Sequence, residues 1–175
     1  MTRRPVTDLV NDAGIEITGQ MSDFPLDDYD RLFGVNVRSV FLCSRRAILG
    51  MIPRHSGTII NLASVASYRT WPGDGVYSTT KAAVLALTKA FAVDLAPHGI
   101  RINAVAPAIV DTPMTHRAIA VERNGDQGRA RREGLHPLGR LARAEEVADA
   151  IFFLASPSAS FTTGSCLKVD GGLLA

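Results

Sequence analysis

Three residues that can hydrogen-bond or transfer a proton are spaced in an informative way: Ser64, Tyr77 and Lys81. An apolar run rich in β-branched residues, 57–63, leads into Ser64 and predicts a buried strand. From residue 76 the apolar positions recur at helical spacing and predict a helix over 76–96. Tyr77 and Lys81 then share one helix face, and Ser64 lies at the carboxyl end of the strand, where open α/β sheets hold their reactive groups.

The chemistry that these residue types favour is proton transfer to an oxygen atom. A free phenol has a pKa of roughly 10, which is too high for proton transfer near neutral pH. The Lys81 ammonium, one helical turn away, is expected to stabilise the Tyr77 phenolate and lower that pKa. Lowering it to about 7 requires roughly 4 kcal/mol, which we do not expect one lysine to supply alone. Ser64 would hydrogen-bond the substrate oxygen and hold it against Tyr77.

These residues stand in two segments that resemble a known family. The segments are Asn-Leu-Ala-Ser at 61–64 and Tyr-Ser-Thr-Thr-Lys at 77–81, and they resemble the short-chain dehydrogenases/reductases. The resemblance implies an NAD(P)-dependent oxidoreductase acting on a secondary alcohol or ketone. It implies that Tyr77 is the general acid/base, that Ser64 orients the carbonyl, and that Lys81 also holds the nicotinamide ribose. A cationic nicotinamide ring would then help to lower the pKa of Tyr77.

The resemblance extends to residues on the amino-terminal side. The Asn-Asp-Ala-Gly stretch at 11–14 is similar to the family's Asn-Asn-Ala-Gly, which supports the sheet and borders the adenosine side of the cofactor. It implies cofactor-binding roles for Asn11, Ala13 and Gly14, although an ordinary Asn/Gly turn would give the same pattern. Asn36 resembles the family's helical asparagine, which kinks the helix, holds a water and supports the proton relay. The alternative is a polar residue tolerated in mid-helix.

A third segment resembles the family's loop over the nicotinamide. Residues 106–112 match Pro-Gly-x-x-x-Thr, with alanine in place of glycine. Pro107, Ala108 and Thr112 are therefore implied to contact the cofactor, and the Ala108 methyl group stands where the backbone approaches closely. Alternatively, Thr112 caps a helix that begins at Pro113.

The segment that follows, about 113–136, is polar and rich in arginine and resembles the family's substrate lid. Its arginines could bind an anionic substrate or form a solvated face, and its two histidines are predicted to be surface residues. The residues concerned are Arg123, Arg129, Arg131, Arg132, His116 and His136.

The fold class predicted for the chain is α/β, with residues 1–175 as one domain. Parallel strands are expected near 6–10, 57–63, 101–105 and 166–169, and helices over 26–51, 76–96 and 145–154. The resemblance makes this the C-terminal part of an NAD(P)-binding Rossmann fold, a partial doubly wound parallel sheet that lacks the first βαβαβ half. The two long helices resemble the family's subunit interface and imply a homodimer or homotetramer.

The glycine pattern that holds the cofactor pyrophosphate in the family, Thr-Gly-x-x-x-Gly-x-Gly, does not occur in these 175 residues. We therefore expect NAD or NADP, which the sequence does not distinguish, to bind this chain weakly. Two alternatives remain open. The chain is a truncated, catalytically silent relative that acts through subunit contacts, or it comes from a gene model begun too late.

Composition excludes several other classes of function. A net charge of +2 implies neither a nucleic acid nor an anionic membrane as partner. We see no signal peptide and no apolar run of about 18 residues, so the expectation is a cytoplasmic protein without a membrane span. Cys43 and Cys166 are far apart and predict buried apolar positions, not a metal site.

Overall fold

We describe residues 6–120 and 125–175 of a computed structural model of the chain. The strands within these residues are β1 Asp8–Asn11, β2 Gly57–Leu62, β3 Ile100–Pro107 and β4 Cys166–Val169. The α-helices are α1 Leu26–Phe33, α2 Ser39–Met51, α3 Gly75–Leu95, α4 Pro113–Ala120, α5 Gly125–Gly134 and α6 Ala144–Ala155.

The four strands form one parallel sheet in the order β1-β2-β3-β4. In the register Asn11 pairs with Asn61, and Asn61 pairs with Ala104. Parallel neighbours need long crossover connections, and here helices provide them. All four carboxyl ends therefore meet at one edge of the sheet. This arrangement confirms the predicted α/β class.

Helices cover both faces of the central strands, because successive strand residues point to opposite sides. On one face Ile59 and Ile102 pack against Met51 of α2 and Leu95 of α3. On the opposite face Val105 and its neighbours pack against α6. β2 and β3 are consequently buried along nearly their whole length, as expected for strands of a parallel sheet.

The helix predicted over 26–51 is present, but it is not a single α-helix. Residues Gly34–Arg38 form a π-helical turn between α1 and α2. Such turns are rare and frequently occur at functional sites. Asn36 lies at the centre of this turn and is buried.

The predicted lid, about 113–136, contains α4 and α5. Arg129 on α5 pairs with the carboxylates of Asp111, at 3.0 Å, and Glu133, at 2.9 Å. Arg123, one of the arginines expected to bind an anion or form a solvated face, lies outside the described residues.

The expectation that both cysteines are buried is wrong. Cys43 is exposed on α2, because its position faces away from the sheet, and Cys166 in β4 is half-buried. Within residues 6–120 and 125–175, no three His, Cys, Asp or Glu side chains converge as metal ligands. In the same part of the chain, no helix combines the length and apolar character that crossing a bilayer demands.

Candidate active site

Ser64, Tyr77 and Lys81 come together at the carboxyl edge of the sheet. Ser64 follows β2 in extended conformation, and its Oγ accepts a hydrogen bond from the Ala66 N–H at 3.1 Å. That bond caps the short 3₁₀ turn Val65–Ser67, which fixes the direction of the chain as it leaves the strand. Tyr77 and Lys81 lie on the first two turns of α3, whose amino-terminal end faces this edge.

Lys81 is the most constrained of the three side chains, with only 6% of its surface exposed. Its Nζ donates to the Leu62 carbonyl oxygen at 2.8 Å and lies 5.8 Å from the centre of the Tyr77 ring. Burial lowers the pKa of Lys81 to about 8, although the negative charges of Asp12 and Glu16 act in the opposite direction. The ammonium is therefore predominantly charged at neutral pH.

The charges of this chain do not lower the pKa of Tyr77, contrary to expectation. Burial raises the pKa of this phenol well above its usual value, and the carboxylates of Glu16 and Asp74 raise it further. The hydrogen bond with Ser64 acts in the opposite direction but does not offset burial. The reason is that burial penalises the phenolate, and Lys81, whose own pKa is lowered to about 8, is neutral where this phenol loses its proton.

Asn36 holds the loop after β1 against α3. Its Oδ1 accepts the Ile15 N–H at 2.9 Å, and its Nδ2 donates to the Ile15 carbonyl at 2.9 Å. The second Nδ2 hydrogen goes to Thr80 Oγ1 at 3.1 Å, and that hydroxyl donates to the Tyr77 carbonyl at 2.7 Å. A Cβ added at Gly14 would lie 3.5 Å from both Asn36 Oδ1 and Lys81 Nζ. Asn36 thus reaches α3 through Thr80.

Asn11 supports the sheet from its carboxyl edge. Its Nδ2 donates to Ser44 Oγ at 3.1 Å and to Asn61 Oδ1 at 2.8 Å, and Asn61 donates to Thr88 Oγ1 at 2.9 Å. These buried side chains satisfy one another, as buried polar groups must. Ala13, two residues on from Asn11, is exposed at the same edge.

The loop after β3 completes this edge. Ala108 N–H donates to the Val169 carbonyl at 3.1 Å, which holds the residue after Pro107 against β4. Thr112 is half-buried, and its carbonyl accepts the His116 N–H in the first turn of α4. The loop is therefore held from both sides near the site.

Sequence reasoning missed three residues. His136, predicted at the surface, is 3% exposed, because the loop after β3 and the lid both pack on it. Glu16 and Asp74 stand close enough to Tyr77 to raise its pKa. Both carboxylates lie in loops without a spacing pattern, so the sequence holds no signal for them.

The nicotinamide-ribose part of a cofactor fits the residues present. An ammonium has three N–H donors, and among the described residues the Lys81 ammonium donates to Leu62 alone. Two donors remain for hydroxyl oxygens. The pyrophosphate part has no matching glycine-rich turn in the sequence.

A family profile described as Enoyl-(Acyl carrier protein) reductase matches residues 5–174. Cyclopentanol dehydrogenase of Comamonas sp. is 44% identical over 169 residues, which are 95% of this chain and 65% of that enzyme. The chain belongs to the short-chain dehydrogenase/reductase family. The relatives named here are longer, and this chain spans about two thirds of their length.

Two further members of the family bear on function. A crystal structure of a gluconate 5-dehydrogenase from Burkholderia cenocepacia, in complex with NADP and tartrate, has a TM-score of 0.91 and 35% identity. The superposition covers 97% of this chain and 65% of that one. A protein of Xanthobacter autotrophicus named inactive 2-(S)-hydroxypropyl-CoM dehydrogenase 2 is 37% identical, over 98% of this chain and 74% of its own length.

Proposed function

We propose that this chain carries the catalytic residues of an NAD(P)-dependent oxidoreductase acting on a secondary alcohol or ketone. The observation that carries the proposal is the grouping of Ser64, Tyr77 and Lys81 at the carboxyl edge of the sheet, with Lys81 buried between Tyr77 and β2. Relatives named for cyclopentanol and gluconate support this substrate class.

The proposed mechanism assigns one task to each side chain. In reduction, the neutral phenol of Tyr77 gives its proton to the carbonyl oxygen, and Ser64 holds that oxygen by a hydrogen bond. The charged Lys81 stabilises the phenolate that remains and donates to the ribose hydroxyls. A bound nicotinamide would supply the hydride to the carbonyl carbon. The raised pKa of Tyr77 keeps the proton on the phenol until this step.

Asn36 has a supporting role in the proposal. Its side chain fixes Ile15 and Thr80, and so sets the position of Tyr77 and of the loop that carries Gly14. Asn11, Ala13 and Gly14 would border the adenosine side of the cofactor. Pro107, Ala108 and Thr112 would border the nicotinamide.

Replacement of Ser64 by alanine tests the assignment. We expect Ser64→Ala to leave cofactor affinity unchanged and to lower the turnover of a secondary ketone by about 10²-fold, since the carbonyl loses a hydrogen-bond donor while the residues proposed to hold the cofactor are kept. Ser67→Ala is the matched control. Its Oγ is the one buried side-chain oxygen or nitrogen without a partner in the described part of the chain, so its removal breaks no bond. Equal losses of affinity and turnover in Ser64→Ala would contradict the proposal.

A catalytically silent protein that acts through subunit contacts is the second candidate. The relative named inactive favours it. Apolar side chains are exposed on the two long helices. Leu49 on α2 is 64% exposed and Val93 on α3 is 76% exposed, and Phe41 stacks on Phe91 between these helices at 5.9 Å. Both candidates predict a dimer through α2 and α3, because such exposed apolar surface favours association.

Light scattering with and without a surface charge tests that interface. We expect the wild type to be dimeric at micromolar concentration and Val93→Asp to be monomeric. Ala148→Asp, an exposed change on α6 outside the proposed interface, controls for the added charge. A wild-type monomer at micromolar concentration would exclude the interface. Ketone turnover by a wild-type dimer would exclude the silent candidate.

A further inference from the structure

We propose that His136 is a positioning residue that ties lid helix α5 to the loop after β3, so that the lid and the Thr112 loop are ordered together. The proposal rests on the proposed function only in assigning that loop to the cofactor. The link that His136 forms between α5 and this loop belongs to the fold of the chain, and its effect can be measured without any cofactor.

The His136 ring is buried and bridges two backbone groups. Nδ1–H donates to the Arg132 carbonyl, near the end of α5, at 2.8 Å. The Ile109 N–H, in the loop after β3, donates to Nε2 at 3.4 Å. One side chain therefore connects two segments that are 23 residues apart in the sequence.

The polarity of the two partners fixes the protonation of the ring. A carbonyl can only accept and an amide N–H can only donate. The neutral tautomer with its proton on Nδ1 satisfies both partners, and no other form of the ring does. Both ring nitrogens of this buried histidine are thus paired.

Packing alone does not hold the ring. A cavity of about 110 Å³ lies beside it, lined also by the ion-paired Arg140 and Glu146. On another side the chain approaches closely: a Cβ added at Gly171, where φ is +57°, would lie 3.4 Å from His136 Cβ. Since the cavity leaves room for the ring to turn, the two hydrogen bonds set its orientation.

Ile109 lies in the loop after β3, and its peptide is hydrogen-bonded on both sides. Its carbonyl accepts the Ala142 N–H at 3.1 Å, and its N–H reaches His136. A second link between α5 and this loop, the pair of Arg129 with Asp111 at 3.0 Å, is exposed to solvent and hence weak. Of these two links, the buried His136 is accordingly expected to contribute more to the coupling of α5 with the loop.

Three variants separate the two halves of the bridge. His136→Asn places an amide where Nδ1 stands and keeps the bond to Arg132. His136→Gln reaches the position of Nε2 and keeps the bond from Ile109. His136→Leu fills the volume of the ring and keeps neither bond. The control is His98→Leu, because His98 is a half-buried histidine after α3.

Site-resolved amide hydrogen exchange on the full chain is the test. Loss of one neutral hydrogen bond should speed exchange roughly three- to tenfold at the amide concerned. We expect faster exchange at Ile109 in His136→Asn and in His136→Leu. His136→Gln should restore protection of Ile109. In His136→Leu, exchange in the last turn of α5 should rise with that at Ile109, and His98→Leu should change neither site.

Two results would overturn the proposal. One is unchanged exchange at Ile109 in His136→Leu. The other is a uniform rise throughout the chain in all three variants, which would show that His136 only stabilises the fold. In an active preparation, His136→Leu should raise the KM for the cofactor more than it lowers kcat, with rescue by His136→Gln. Failure of the proposed function would remove that kinetic effect and leave the exchange pattern intact.

Discussion

The buried charge of Lys81 is the residue-scale feature with the clearest energetic consequence. Burial disfavours the charged form of Lys81, so keeping the ammonium beside Tyr77 lowers the stability of the folded chain. We predict that Lys81→Met raises the free energy of unfolding at pH 7 by about 1–3 kcal/mol, because a neutral side chain of similar length pays no such cost. Chemical denaturation measures the change, and Lys89→Met on the exposed side of α3 is the control.

The pH dependence of this effect has a definite sign. The pKa of Lys81 is about 8 in the folded chain and 10.5 in the reference state, so between these values the unfolded chain binds more protons. Wild-type stability relative to Lys81→Met should therefore rise from pH 8 toward pH 10.5. A stability difference between wild type and Lys81→Met that stays constant across this range would show that folding does not lower the pKa of Lys81.

At the residue scale the sequence predicts which residues form the site better than it predicts their pKa values and burial. The spacing of Ser64, Tyr77 and Lys81 brings them to one site, as the structure finds. The raised pKa of Tyr77 depends first on its burial and then on Glu16 and Asp74, and tertiary packing rather than spacing sets all three contributions. The burial of His136 likewise depends on Ile109 and the lid, which no local pattern reveals.

At the scale of elements, Arg101 links the sheet to α6. Its guanidinium donates to the carbonyls of Leu154, Ala155 and Ser156 at 2.7–3.2 Å, and so pairs carbonyls left open at the end of α6. We predict that Arg101→Met lowers the free energy of unfolding by about 1–3 kcal/mol, since these carbonyls lose their donors. Thermal unfolding provides the measurement.

The specificity of the Arg101 effect can be checked in two ways. Arg45→Met, an exposed change on α2, should alter stability by less than about 0.5 kcal/mol. Exchange protection should fall in the last turn of α6 in Arg101→Met and stay constant in β1. Equal destabilisation by the two arginine variants would contradict a specific role.

The elements themselves are largely predictable, because hydrophobic periodicity follows directly from which face is buried. The helix predicted over 76–96 is α3, Gly75–Leu95, and the strand predicted over 166–169 is β4. The apolar stripe of 26–51 also predicts a helix. Its π turn at Gly34–Arg38 contains Asn36, whose side chain bonds to Ile15 and Thr80, and such tertiary contacts leave no periodic signature.

At the scale of the whole molecule, the residues of this chain serve the two parts of a dinucleotide unequally. We propose Lys81 and Thr112 for the nicotinamide side, whereas these 175 residues contain no glycine-rich turn for the pyrophosphate. Losing three charge-assisted hydrogen bonds, at about 1.5–3 kcal/mol each, weakens binding by roughly three to six decades. We predict that titration calorimetry on the 175-residue polypeptide detects negligible binding of NAD(H) or NADP(H).

The complementary experiment adds the missing contacts. A polypeptide with a glycine-rich strand–turn–helix segment joined ahead of β1 should recover cofactor binding, because a helix amino terminus then faces the pyrophosphate. A micromolar dissociation constant for the 175 residues alone would show that the phosphates are held elsewhere.

The most direct test of the account is the turnover of a secondary ketone by Tyr77→Phe. The assay follows oxidation of NAD(P)H at saturating cofactor, in whichever of the two polypeptides binds it, with Tyr29→Phe on α1 as the control. We predict wild-type turnover in Tyr29→Phe and a loss of at least about 10²-fold in Tyr77→Phe, with unchanged melting temperature, since the proton donor alone is removed. Wild-type turnover in Tyr77→Phe would contradict the assignment of proton transfer to this site.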